Sequence, residues 1–276
     1  MAYATIIVEK LGPVARLTLN RPERVNALNR TMLEEIGAAL DEAEHDPEVR
    51  ALIVRGAGAA FSSGFDLKEQ MERPPRGLDQ WRPVLRQDFD TVMRFWHCPK
   101  PTIAAVRGPC LAGAFELSLA CDITIASETA FFGEPELKFG AGIVVMLLPW
   151  LVGPKIAKEI IFLGEDRLSV ERARELGIVN KIVPDASLEA EAALVARHLC
   201  AIDPGLVKHT KRAINSTLER QGLLDALEAA LAIDLDIEGR GSPDKIAFME
   251  IARAEGLKAA IQWRDTRFPQ RRKKAE

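Results

Sequence analysis

Short apolar runs alternate with amphipathic segments over the first two thirds of the chain. Residues 5–10 and 14–19 read as two strands joined at a Gly12-Pro13 turn. Asn29 is placed to cap a helix carrying Leu33, Ile36, Leu40 and Ala43 at helical spacing. Residues 51–55 form a short apolar strand that ends at a glycine-bearing loop, and a polar, proline-rich stretch at 73–77 precedes a helix near residues 88–96. The next strand, 102–106, runs into a second glycine loop, and residues 123–126 and 178–183 supply two more strands. Strand, loop and helix recurring in that order predict an α/β fold with its working residues on the loops after strands.

From about Ser187 onward the pattern predicts helices only. Asp203-Pro204 and Ser242-Pro243 each read as an N-cap followed by proline at the first helical position. Leu223, Leu224, Leu227, Leu231 and Leu235 fall on one helix face. Such a face either packs on the core or joins copies of the chain, and periodicity alone does not choose. The expected division is a core over residues 1–200 and a helical region over 201–276.

Composition narrows the function classes. With 276 residues, 47% of them apolar and 28% charged, the chain has the make-up of an ordinary globular protein with a substantial core. A net charge of −3 gives no overall attraction to nucleic acid. Only Arg271-Arg272-Lys273-Lys274 is strongly basic, and it reads as a solvated terminus or, alternatively, as a group near substrate phosphates. Four scattered cysteines without a paired spacing or neighbouring histidines predict no metal site. The longest apolar run, residues 143–152, is too short to span a bilayer, and no secretory leader pattern opens the chain, so a cytoplasmic, membrane-free protein is expected.

The chemistry concentrates in two segments, Phe61-Ser62-Ser63-Gly64-Phe65-Asp66-Leu67-Lys68 and Gly108-Pro109-Cys110-Leu111-Ala112-Gly113-Ala114-Phe115-Glu116. Glycine permits tight turns that aim backbone N–H groups at a ligand. Two such donors on one carbonyl oxygen make an oxyanion hole. Glu116 opens an apolar helical segment, where a carboxylate is either functional or a solvent-facing partner of the helix dipole. Glu136 follows Pro135 in a loop and is either functional or simply solvated; Glu134 reads as the more ordinary of the two. Two carboxyl groups beside an oxyanion hole suit proton transfer next to a carbonyl. The loops match neither the dinucleotide fingerprint, nor a phosphate-binding P-loop, nor the nucleophile elbow of a hydrolase.

Four segments together resemble the crotonase (enoyl-CoA hydratase/isomerase) superfamily over nearly the whole chain. They are Asn20-Arg21-Pro22-Glu23-Arg24-Val25-Asn26-Ala27-Leu28, the segment from Phe61 to Lys68, the segment from Gly113 to Asp122, and Gly133-Glu134-Pro135-Glu136. The resemblance implies a spiral of repeated ββα units, a C-terminal helical region that trimerises, and acyl-CoA thioester substrates. It implies that Phe65 and Gly113 supply the oxyanion-hole amides and that Glu116 and Glu136 are the catalytic glutamates. It further places Arg24, Ala27, Lys68 and Phe268 against the CoA moiety, with no cofactor beyond the CoA of the substrate and a homotrimer or hexamer as the assembly. Both glutamates favour hydration of a trans-2-enoyl-CoA, with Glu116 as base, Glu136 as acid, or the reverse. Double-bond isomerisation, thioester hydrolysis and retro-Claisen cleavage are the sibling reactions, and a CoA- or RNA-binding member without catalysis is the remote alternative.

The chain also departs from the family pattern. Phe65 stands where a small residue is common, and Ala112 and Ala114 where glycines are usual. Val145-Met146-Leu147 replaces a polar triplet, which predicts an altered wall for the acyl pocket.

Overall fold

The computed structural model describes residues 3–269; the basic run at 271–274 lies outside the described residues. Among the described residues, nine strands form two sheets. In chain order they are β1 (Ile6–Leu11), β2 (Val14–Leu19), β3 (Ala51–Gly56), β4 (Thr102–Val106), β5 (Pro109–Leu111), β6 (Ile123–Ser127), β7 (Phe131–Gly133), β8 (Leu168–Ser169) and β9 (Lys181–Val183). The larger sheet runs β1-β2-β3-β4-β6-β9 and the smaller β5-β7-β8. The hairpin of β1 and β2 is antiparallel, and every later pair in the large sheet is parallel.

The parallel strands are apolar on both faces because both faces are covered. Ile53, Ile103, Ala105 and Ile125 pack under the helix Leu188–Ala201, while Leu52, Val54, Ala104 and Val106 face the main core. The connections repeat one plan. Each of β3, β4 and β6 is followed by a short extended segment of a second layer (Ser62, β5 and β7) and then by a helical turn, at Leu67–Glu72, Gly113–Ala120 and Glu136–Phe139. Ser62 bridges Cys110, and β5 pairs with β7 in parallel, so the loops that follow successive strands lie side by side. This is the expected repetition of ββα units, closed by five C-terminal helices from Leu188–Ala201 to Leu257–Thr266.

Most local expectations hold. Asn29 accepts from the Met32 amide at 3.0 Å, Asp203 from Leu206 at 3.0 Å and Ser242 from Lys245 at 3.0 Å. Two boundaries differ. The helix expected near 88–96 runs Gly77–His97 and contains Pro83. The strand expected over 178–183 pairs only at Lys181–Val183, because the Ile178 and Val179 amides turn back to the Ala173 carbonyl. The leucine face at Leu223, Leu227, Leu231 and Leu235 is buried in the main core, and its helix, Leu223–Arg240, packs along Gly77–His97.

Candidate active site

The residues 20–28 form a clamp. Asn26 is fully buried, and its side-chain N–H groups donate to the carbonyls of Ala57 and Ala60, both at 2.9 Å, while its Oδ1 accepts from the Arg21 amide at 3.0 Å. Arg21 ion-pairs with Asp66 at 2.8 Å, and Asp66 in turn caps the helix Leu67–Glu72 through the Lys68 and Glu69 amides. Leu28 then bridges Phe65 in parallel. These contacts fix the first glycine loop against the body of the protein.

The second glycine loop lies directly against the first. The Leu111 amide donates to the Ser62 carbonyl at 3.1 Å, and a Cβ on Gly64 would stand 2.6 Å from the Ala112 Cβ and 3.2 Å from the Gly113 nitrogen. Only glycine fits Gly64, whose φ is +89°. Ala112 adopts φ +57° and ψ −137°, a region that favours glycine, which strains the backbone immediately before Gly113. Among the described residues, neither the Phe65 nor the Gly113 amide donates a hydrogen bond within the chain. Two uncommitted donors therefore sit on adjoining turns, and Gly113 also heads the helix Gly113–Ala120. The Phe65 ring lies over Gly113, where an added Cβ would meet ring carbons at 2.3–2.6 Å.

Beside these loops opens a cavity of about 910 Å³. Its wall includes Phe65, Ala112, Glu116 and Glu136, with Arg24, Ala27 and Lys68. Gly113 lies behind the Phe65 ring and Phe268 outside this wall, the latter with the Lys138 ammonium 5.9 Å from its ring centroid. The helices Pro243–Glu255 and Leu257–Thr266 close the cavity through Phe248, Leu257 and Arg264.

Both glutamates are buried. Glu116 is 1% exposed; its Oε1 accepts from the Val145 amide at 2.9 Å, and its Oε2 has no hydrogen-bond partner. Glu136 is 7% exposed, also with an unpartnered Oε2. Burial raises both above the ordinary carboxylate range, Glu136 to about 7 and Glu116 well above its usual value, with the Glu136 charge adding to the rise at Glu116. Two buried carboxyls that resist ionising together hold a proton between them near neutrality, giving one acid and one base. Of the apolar triplet expected to reshape the acyl pocket, none of Val145, Met146 and Leu147 lines the cavity; Val144 before them does, and the Val145 backbone amide holds Glu116.

Sequence reasoning passed over several groups. Glu134, read as the ordinary loop residue, is 1% exposed, and burial followed by the charges of Glu136 and Glu116 raises it well above its usual value. Asp88, Asp234, Glu238 and Lys245 also line the cavity. The signal was present: Asp88 lies three residues after Leu85, and Asp234 three after Leu231, each a carboxylate on an apolar helix face.

A family model for enoyl-CoA hydratase/isomerase matches residues 9–238. The chain is 35% identical to a short-chain-enoyl-CoA hydratase of Clostridium acetobutylicum, over 94% of this chain and 99% of that one. It is 32% identical to a crotonyl-CoA hydratase of Syntrophomonas wolfei, over 97% and 99%. A crystal structure of an enoyl-CoA hydratase/isomerase from Xanthobacter autotrophicus Py2 superimposes with a TM-score of 0.96 at 72% identity, covering 97% of this chain and all of the other. With the paired glycine turns, the two buried glutamates and the ββα spiral, these likenesses are decisive: the chain belongs to the enoyl-CoA hydratase/isomerase family.

Proposed function

We propose that this protein adds water across the double bond of a trans-2-enoyl-CoA thioester. The observation that carries the reading is the pair Glu116 and Glu136, each buried in one cavity wall with an oxygen free of partners, beside two turns with uncommitted amides. One carboxylate takes a proton from water as the oxygen bonds to Cβ. The electron pair moves toward the thioester oxygen, where the Phe65 and Gly113 amides stabilise the enolate. The other glutamate, protonated, delivers its proton to Cα. The Val145 amide fixes the position of Glu116, and the two glutamates divide the roles of base and acid between them. The CoA moiety is assigned to Arg24, Ala27 and Lys68, and the reaction needs no cofactor beyond that CoA.

Mass spectrometry of a trans-2-enoyl-CoA panel incubated with the protein tests this. A water's mass gained, and lost in Glu116→Gln and Glu136→Gln, is expected. A shifted double bond or released CoA without hydration would overturn it in favour of a sibling reaction.

The assembly we propose is a homotrimer or a pair of stacked trimers, with residues 201–276 as the assembling region. The helix Pro204–Glu219 buries no residue fully, and Leu206 and Ile214 are each 63% exposed on it. A monomeric mass by light scattering would overturn this. No described helix is long and apolar enough to cross a membrane. We infer a cytoplasmic enzyme from its four cysteines, all free of disulfides.

A further inference from the structure

Hydration uses two of the carboxyl groups in the cavity wall, and among the others that line it three cluster on two neighbouring helices. Asp88 stands on Gly77–His97, and Asp234 and Glu238 on Leu223–Arg240, the helix packed against it. Lys245 shares the wall with them: it ion-pairs with Glu238, sits 4.4 Å from the centroid of the Trp81 ring, and its charge attracts Asp234. Glu238 also accepts the Gly142 amide at 3.1 Å. Arg30, the cation that attracts Asp88, is hydrogen-bonded to Gln87.

Asp234 feels the Lys245 charge but is hydrogen-bonded to nothing. It is 2% exposed, and neither Oδ1 nor Oδ2 receives a hydrogen bond. The backbone makes room for it: a Cβ on Gly142 would fall 1.8 Å from Oδ1, so the carboxyl group packs directly on that glycine. A carboxyl group removed from water without partners is costly. Buried polar groups in native proteins are otherwise satisfied. Glu116 and Glu136 show the same unmet oxygens where a reacting water and thioester are proposed to sit. Asp234 shows them in the same cavity and takes no part in that reaction.

We infer that Asp234, with Asp88 on the neighbouring helix, forms a subsite for a hydrogen-bond donor on the acyl group, a hydroxyl or ammonium substituent remote from the thioester. The preferred substrates are then donor-bearing acyl thioesters rather than plain hydrocarbon chains. Trp81, Leu85 and Val144 in the wall would hold the apolar part of such a chain. The inference rests on the acyl-thioester reading of the site, not on the hydration step.

The test is equilibrium binding of saturated acyl-CoA pairs matched in length, with and without a terminal hydroxyl or amino group, across short and medium chains. Saturated chains do not react, so binding is read apart from catalysis. At one chain length the donor-bearing ligand should bind wild-type protein at least ~10-fold more tightly, the scale of a hydrogen bond to a charged acceptor. Asp234→Leu should erase the difference. Asp234→Asn, which keeps an acceptor oxygen but no charge, should retain a preference for hydroxyl and lose one for ammonium. Plain chains binding as tightly at every length, or a preference that survives Asp234→Leu, would overturn the inference alone. Failure to bind any acyl-CoA would overturn the thioester site and this subsite together, whereas donor-selective binding without hydration would sink only the hydratase reading.

Discussion

Replacing Glu136 with glutamine should make the protein more stable above neutral pH while disabling it. Burial moves this carboxyl from 4.5 up to about 7. At 1.36 kcal/mol per unit, ionising it in the folded protein costs about 3 kcal/mol more than in the unfolded chain. The sign follows from proton counts. Below pH 4.5 both states hold the proton and the group contributes no penalty; as pH rises toward 7 the unfolded state releases it first, so wild-type stability falls. Glutamine does not titrate. Glu136→Gln should therefore show little change from this source at pH 4.5 and a stabilisation of about 3 kcal/mol at pH 8. Removing the Glu136 charge also eases ionisation of Glu116, which adds in the same direction. Urea unfolding followed by circular dichroism at both pH values reads the difference, and enoyl-CoA hydration should fall by roughly 100- to 10,000-fold. Equal stability at both pH values, or destabilisation at pH 8, would refute the account of Glu136 as a strained buried acid.

Other perturbations reach the surrounding structure. Gly113→Ala should lower hydration at least ~10-fold by driving its Cβ into the Phe65 ring, and adding Phe65→Ala should restore part of the rate, a coupling that a double-mutant cycle measures. Asn26→Ala removes three contacts of about 1 kcal/mol each at a fully buried position, so the urea midpoint should drop by the equivalent of about 3 kcal/mol. Ala112→Gly, which relieves a positive φ, should be neutral or stabilising by about 1 kcal/mol in the same assay, opposite to the usual effect of introducing glycine. Lys68→Ala should raise KM for acyl-CoA several-fold with kcat little changed, and the difference should shrink in high salt because this side chain is solvent-exposed.

The parts of the fold legible in the sequence are those set by neighbours in the chain. Strand periodicity gave β2, β3 and β4, and the caps at Asn29, Asp203 and Ser242 are contacts spanning three residues. The missed first half of Gly77–His97 is polar and interrupted by Pro83, so local preference spoke for a loop; Trp81 and Leu85, buried in the main core, override it. Residues 178–183 carry a strand composition, yet the turn at Gly177, φ +79°, redirects the first half onto the preceding helix. In the site, Glu116 could be read as unusual because one apolar helix surrounds it. The placement of Asp88 and Asp234 in one wall depends on two helices distant in sequence.

The helix Leu223–Arg240 shows why periodicity left its partner undecided. Leu223, Leu227, Leu231 and Leu235 make one apolar stripe, and it is spent inside the chain, against the main core. Ala226, Ala230, Ile233 and Ile237 make a second stripe at helical spacing, with Ile233 64% and Ile237 40% exposed. Asp234 and Glu238 lie beside the leucines, toward the end of the helix, and line the cavity. A helix apolar on most sides belongs in an interior. Here the first stripe completes the core, the acids reach the cavity, and Ile233 and Ile237 on the second stripe stay exposed. Core packing, the proposed acyl subsite and a face open to the proposed assembly thus share one helix. A displacement of this helix at a subunit interface would be felt at Asp234, so the proposed assembly would also set the shape of the acyl pocket.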